Sequence, residues 1–229
     1  MNNQAIMEKA LTNVKAWFEE NEERIVEVSN QIWNLAETKF QEFESSEVLK
    51  GVVREFGFEV KDNLVDGMPT AFTAEWSNGD GPTIAMLGEY DALPGLGNDL
   101  VPRKSPNGKN GHGCGHNLLG VGSMSAAISA AHAMEELGIK GRIKYFGCPA
   151  EEGGSGKVYM VRDGIFKGID AIVRWHPINI TYVDMSSSLA VISVKYEFHG
   201  KSAHAGVAPH LGRSALDGFI LTDIGANYL

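Results

Sequence analysis

The chain has 229 residues, enough for one large domain or for one domain and part of a second. Hydrophobic residues make up 43% and charged residues 21%, the mix of an ordinary globular chain and not of a disordered one. The formal charge is −9, from 20 Lys and Arg against 29 Asp and Glu with no basic cluster, which argues against a nucleic acid or an anionic membrane surface as partner.

The first sixty residues read as helices. Ile25, Val28, Ile32 and Leu35 recur at helical spacing, as do Val48, Val52 and Phe56 after a Glu-Ser-Ser start. Strands follow at Thr70–Trp76 and Thr83–Leu87, separated by the turn residues 77–82. Residues 96–113 are rich in Gly, Pro, Asn and Lys and read as a loop. A helix rich in small residues is predicted over about 117–137, ended by Gly138. Arg142–Cys148 is an apolar strand, Gly156–Asp163 a helix and Asp170–Arg174 another strand. Helices alternating with short apolar strands predict an α/β fold, a sheet covered on both faces.

Near Met185 the pattern changes. Leu189–Phe198 alternates as a longer strand, a loop runs through His204 and Pro209, and a helix begins near Gly212. This is the β–loop–α opening of a second domain, and one strand with one helix cannot bury both apolar faces. The expected division is therefore 1–187 for a first domain and 188–229 for an incomplete second. Met1–Trp17 has no signal-peptide core, and no apolar run reaches the ~20 residues that span a bilayer. The expected location is the cytoplasm, with Cys114 and Cys148 as free thiols or metal ligands.

Four segments place ligand-type residues at strand ends and in loops: residues 88–94 (GEYDALP), 111–117 (GHGCGHN), 149–154 (PAEEGG) and 175–177 (WHP). Cys114 and His116 flank Gly115. In an extended loop their side chains share one side, and a thiolate with an imidazole suits a divalent transition metal. A buried thiol beside a helix-capping histidine is the equal alternative. Glu151 and Glu152 follow a strand, where adjacent residues diverge, so one carboxylate can bind metal while the other moves a proton. A lone Glu-Glu pair is more commonly a solvated turn. His176 reaches the same region from a third strand end. Asp91 can orient a ligating histidine from behind, and Glu89, two residues earlier, can point the same way.

These segments, read together, resemble the M20 metallopeptidase superfamily and its amidohydrolase branch, which carries a Cys-Gly-His motif at its metal site. The stretches GEYDALPG, GHGCGHNLLGVG and GCPAEEGGSGKVYMVRDGIF carry the resemblance, which covers essentially the whole chain. It implies a zinc-peptidase-like catalytic domain, a central mixed sheet covered by helices, and from about residue 188 the start of an inserted α+β lid or dimerisation domain. It further implies Cys114, His116, Glu152 and His176 as ligands of two divalent ions, Mn2+ or Zn2+. Glu151 takes the general acid/base role and Asp91 the orienting role. His204, in GKSAHAG, matches a lid histidine that binds the substrate carboxylate or the oxyanion; Asn227 is a weaker match. The implied substrate is p-aminobenzoyl-glutamate, with a dipeptide or an N-acyl amino acid as alternative. A homodimer, or a heteromer with a homologous subunit, would form through the lid. Asn117 departs from the family, where Asp is common, and the last expected metal ligand has no counterpart before Leu229. A non-catalytic metal-binding piece is the remaining alternative.

Overall fold

Helix α1 (Asn3–Leu35) opens the computed structural model, which describes residues 2–229. The Asn2 side chain caps it by accepting the Ala5 N–H at 2.9 Å. Val28 and Ile32, one helical turn apart, are fully buried, as their spacing predicts. Helix α2 (Phe43–Glu55) begins earlier than its Ser-Ser pair implied. The Glu37 carboxylate accepts the Glu44 and Ser45 N–H groups at 3.0 and 2.7 Å, satisfying first-turn donors that have no partner inside the helix.

Five strands form one sheet: β1 (Glu59–Lys61), β2 (Phe72–Ser77), β3 (Thr83–Gly88), β4 (Arg142–Gly147) and β5 (Ala171–Val173). Their order is β1-β2-β4-β3-β5. β1 and β4 run antiparallel to β2, whereas β3 pairs in parallel with both β4 and β5. Parallel neighbours need a crossover. Helix α3 (His116–Leu137) lies between β3 and β4 in sequence; the single turn α4 (Glu151–Gly154) and helix α5 (Gly156–Arg162) lie between β4 and β5. The expected mixed sheet covered by helices is thus observed, with the short β1 as an addition. Side-chain alternation separates two cores. Ile143 and Tyr145 of β4 face α1, α2 and α3, in one cluster with Leu49, Phe72 and Ile128. Phe146 points to the opposite face, against Met68, Met160 and Phe166.

The topology gathers the site. Because β3, β4 and β5 run parallel, their carboxyl ends lie along one edge of the sheet, where open α/β sheets bind ligands. Glu89 and Asp91 follow β3, Glu151 and Glu152 follow β4, and His176 follows β5. Residues 111–116 enter α3 at the same edge.

The chain divides into two compact units, residues up to Tyr182 and residues from Val183 to Leu229. In the second, Lys201 and Arg213 form an antiparallel bridge ahead of helix α6 (Ala215–Ala226), and the Phe198 and Phe219 rings meet nearly perpendicular. The Ser214 side chain caps α6 by accepting the Asp217 N–H at 3.1 Å. The strand expected over Leu189–Phe198 is not formed. An alternating pattern makes a strand only where a neighbour takes up its backbone groups, and among the described residues none does. Its Leu189, Val191 and Ile192 are exposed. No helix among the described residues is long and apolar enough to cross a membrane.

Candidate metal centre

His116 is the hub. It is the first residue of α3, entirely buried, and Gly115 before it is left-handed at φ 82°. That turn, and not the extended loop expected from the sequence, brings Cys114 and His116 to one side. The His116 Nδ1 lies 2.9 Å from Asp91 Oδ1, while Asp91 Oδ2 accepts the Glu152 N–H at 2.8 Å. One carboxylate therefore ties the imidazole to the glutamate turn. With Nδ1 donating, Nε2 presents its lone pair to Glu89 Oε2 at 3.2 Å and to Glu151 Oε2 and Glu152 Oε1 at 3.9 Å each. It makes no hydrogen bond to any of them, the 3.2 Å approach included.

A buried nitrogen lone pair facing three carboxylates is unfavourable unless a cation lies between them. Two donor sets converge there, Cys114 with His116 and His176, and Glu89 with His116 and Glu151; within each, the ligand atoms lie within 4.8 Å of one another. Both combinations suit a divalent transition ion. Burial opposes charging of His116, but the Asp91 hydrogen bond and the surrounding carboxylates outweigh it and raise its pKa. Cys114 shows the converse. Burial, with Glu152, Glu151 and Glu89 adding to it, pushes the thiol up to about 12, so a thiolate forms here only beside a metal cation. Burial and the Glu89 charge likewise raise the Glu151 carboxyl.

Gly115, just before α3, and Gly122 on it seat the third strand end. A Cβ on Gly115 would lie 2.8 Å from the Pro177 ring, and one on Gly122 would lie 2.6 Å from the Trp175 indole. Trp175 and Pro177 fill these two notches, and His176 between them brings its Nε2 to 3.3 Å from Cys114 Sγ.

Cys114, His116, Glu151, Glu152, His176 and Asp91 all belong to this cluster. His204 lies in the other unit, exposed, with its Nδ1 accepting the Gly206 N–H at 3.1 Å. Asn227 caps the end of α6 through Asp223. The Asn117 amide donates to Ser29 Oγ at 3.1 Å, a bond to α1 that an aspartate could not donate. His112 is structural: its Nε2 meets the Ile32 carbonyl at 3.1 Å, and burial lowers its pKa to about 4.

The model of the peptidase family M20/M25/M40 matches residues 85–213, more than half of the chain and every residue of the cluster. The chain belongs to that family. As an M20 chain it is 44% identical to one of the subunits of the p-aminobenzoyl-glutamate hydrolase of Escherichia coli, over 92% of its own length and 44% of the relative's. It is 32% identical to a mouse Xaa-Arg dipeptidase, over 89% of its length and 46% of the relative's. The chain thus spans about half the length of the curated relatives it matches. Among solved structures, a Bacillus subtilis dinuclear metal binding peptidase from the M20 family superposes at a TM-score of 0.54 and 27% identity, covering 69% of this chain and 42% of that one. An aminobenzoyl-glutamate utilization protein from Klebsiella pneumoniae shares the fold at a TM-score of 0.51 and 17% identity, covering 70% of this chain and 45% of that one.

Two features of this M20 site were not legible beforehand. The turn after β4 carries both Glu151 Oε2 and Glu152 Oε1 to 3.9 Å from His116 Nε2. Glu89, which had only a direction in the sequence, approaches that nitrogen more closely than either and also pairs with Lys157 of α5.

Proposed function

We propose that this chain is the metal-binding part of an amide hydrolase that releases glutamate from p-aminobenzoyl-glutamate. The observation that carries the reading is the unpartnered, buried His116 Nε2 facing Glu89, Glu151 and Glu152 beside the Cys114–His176 pair. The identity to the E. coli hydrolase supports the substrate.

In this reading Cys114, His116, Glu152 and His176 hold two divalent ions, Mn2+ first and Zn2+ as the alternative. The ions supply water acidification and carbonyl polarisation. Asp91 fixes the His116 ring with Nδ1 as the donor, leaving Nε2 free to ligate. Glu151, the more exposed of the two glutamates, takes the proton from water and returns it to the departing amine. His204 takes the role of binding the substrate carboxylate or the oxyanion. The segment from about residue 188 is the start of a lid through which a homologous subunit or second copy pairs. The protein works in the cytoplasm on a small-molecule amide.

The 32% identity to an Xaa-Arg dipeptidase favours a second reading with the same chemistry and a dipeptide substrate. Metal uptake by the purified chain, measured by elemental analysis beside Cys114→Ser and Glu152→Gln, tests the site. Hydrolysis of p-aminobenzoyl-glutamate against a dipeptide panel then separates the substrates. About one or two equivalents in the parent, lost in both variants, are expected. A parent that takes up no Mn2+ or Zn2+ sinks the site; metal uptake without hydrolysis makes the chain a piece that needs complementary residues.

A further inference from the structure

Glu42 is a fully buried carboxyl outside the ligand set. Its Oε1 accepts the Phe40 N–H at 3.0 Å and the Ala150 N–H at 2.8 Å, and its Oε2 accepts from the Thr70 hydroxyl at 3.1 Å. Thr70 is held in turn, because the Tyr90 hydroxyl donates to its carbonyl at 2.5 Å. This network joins the start of α2, the segment before β2 and the end of β3 to the turn after β4.

Ala150 is the residue before the paired glutamates, and its backbone is left-handed, with φ 55° and ψ 40°. A residue with a Cβ adopts that conformation only where its surroundings hold it. Ser155, at the other end of the turn, is also left-handed at φ 54°, and the turn is closed by the Gly156 N–H donating to the Ala150 carbonyl at 3.0 Å. Glu151 and Glu152 project from the loop between these two strained residues. Two acidic side chains from elsewhere anchor it: Asp91 at the Glu152 N–H, and Glu42 at the Ala150 N–H.

We propose that Glu42 is a positioning residue of the metal centre, holding Ala150 in its left-handed conformation so that Glu151 and Glu152 both reach toward His116. The inference rests on the metal-site reading above for its consequence, but not for its geometry. Glu42 touches none of the candidate ligands and acts only through the Ala150 backbone. The role needs an acceptor at Oε1 and a group that pairs with Thr70, not a negative charge. Burial, with the nearby Asp91 charge adding to it, pushes the carboxyl up to about 7, which agrees with an acceptor that need not be ionised. Glutamine reproduces both contacts, alanine removes them, and aspartate keeps the carboxyl but withdraws it by one methylene.

The test compares the parent chain with Glu42→Gln, Glu42→Ala and Glu42→Asp, using amide hydrogen exchange and 15N chemical shifts of Ala150 and Glu152 in the metal-free protein. Calorimetric titration with Mn2+ and with Zn2+ follows. The parent and Glu42→Gln are expected to share a protected Ala150 amide. In Glu42→Ala and Glu42→Asp that protection is lost, the Glu152 amide shifts, and metal affinity falls about 10–100-fold, as for other groups that orient ligands from behind. Val53→Ala, in the core away from the site, serves as a control of matched thermal stability and keeps parental Ala150 protection. Parental Ala150 and Glu152 signals in folded Glu42→Ala or Glu42→Asp overturn the proposal, as does a Glu42→Gln chain that behaves like Glu42→Ala. If the truncating variants do not fold, the parent still decides: an Ala150 amide exchanging as fast as an exposed loop overturns the proposal, and slow exchange kept in Glu42→Gln supports it. A parent that binds neither metal yet shows the protected amide sinks the function proposed above and leaves Glu42's positioning role supported.

Discussion

Asp91 and His116 meet at 2.9 Å, both buried, and the second oxygen of the same carboxylate takes the Glu152 backbone N–H. The pair fixes which imidazole nitrogen faces the cluster, and it couples the helix entry after residue 115 to the turn after β4. Asp91→Asn offers one acceptor where two donors need one each, so its amide N–H2 must face either His116 Nδ1 or the Glu152 N–H. Metal affinity is expected to fall about 10–100-fold while the fold persists. Calorimetric titration with circular dichroism checks this; unchanged affinity would remove Asp91 from the site.

Gly122→Ala addresses the third strand end. The new Cβ lies 2.6 Å from the Trp175 indole, so the 175–177 segment must shift and carry His176 off Cys114. Overpacking of this kind costs about 1–3 kcal/mol. Trp fluorescence should change, and metal affinity should drop although no ligand has been touched. The conformational freedom of Gly115 makes it a poorer probe, since its positive φ confounds the steric effect.

Glu42 also sets a pH dependence of stability. Its folded-state pKa is about 7 against an ordinary value of 4.5, raised chiefly by burial. Between these values the folded state binds more protons than the unfolded one, so this group's stabilisation is full below about 4.5 and is lost as pH rises toward 7. Integrated over the window, the loss is about 3 kcal/mol. Urea denaturation across that range should show the decline in the parent and its absence in Glu42→Gln. A variant with the parent's slope would assign the titration to another group.

The exposed edge makes a fourth prediction. Ile172 and Val173 of β5 are 45% and 54% exposed on an edge strand, and Leu216 and Phe219 of α6 are exposed as well. Unpaired edges and apolar helix faces invite association. Sedimentation velocity should show concentration-dependent self-association of the 229-residue chain. A monomer at every concentration would count against it.

Short runs of β-branched, aromatic and apolar residues bounded by turn residues identified β2, β3, β4 and β5. The same local logic failed at Leu189–Phe198, where alternation was present and, among the described residues, a pairing partner was not. Asp91, Cys114, His116, Glu151, Glu152 and His176 could be named in advance because each follows a strand or enters a helix, and the register of three parallel strands then brings those ends to one edge. The supporting contacts were beyond reach of the sequence. The Glu42 carboxyl meets the Ala150 N–H across 108 positions, and the Asp91 carboxyl meets the Glu152 N–H across 61. Local pattern, read with the family resemblance, named residues that meet in one cluster. Only tertiary structure decided that the Asp91 and Glu42 carboxyls also hold the glutamate turn and that both glutamates approach one nitrogen, because those outcomes depend on the left-handed turn at Ala150 and on backbone donors that no side-chain pattern encodes.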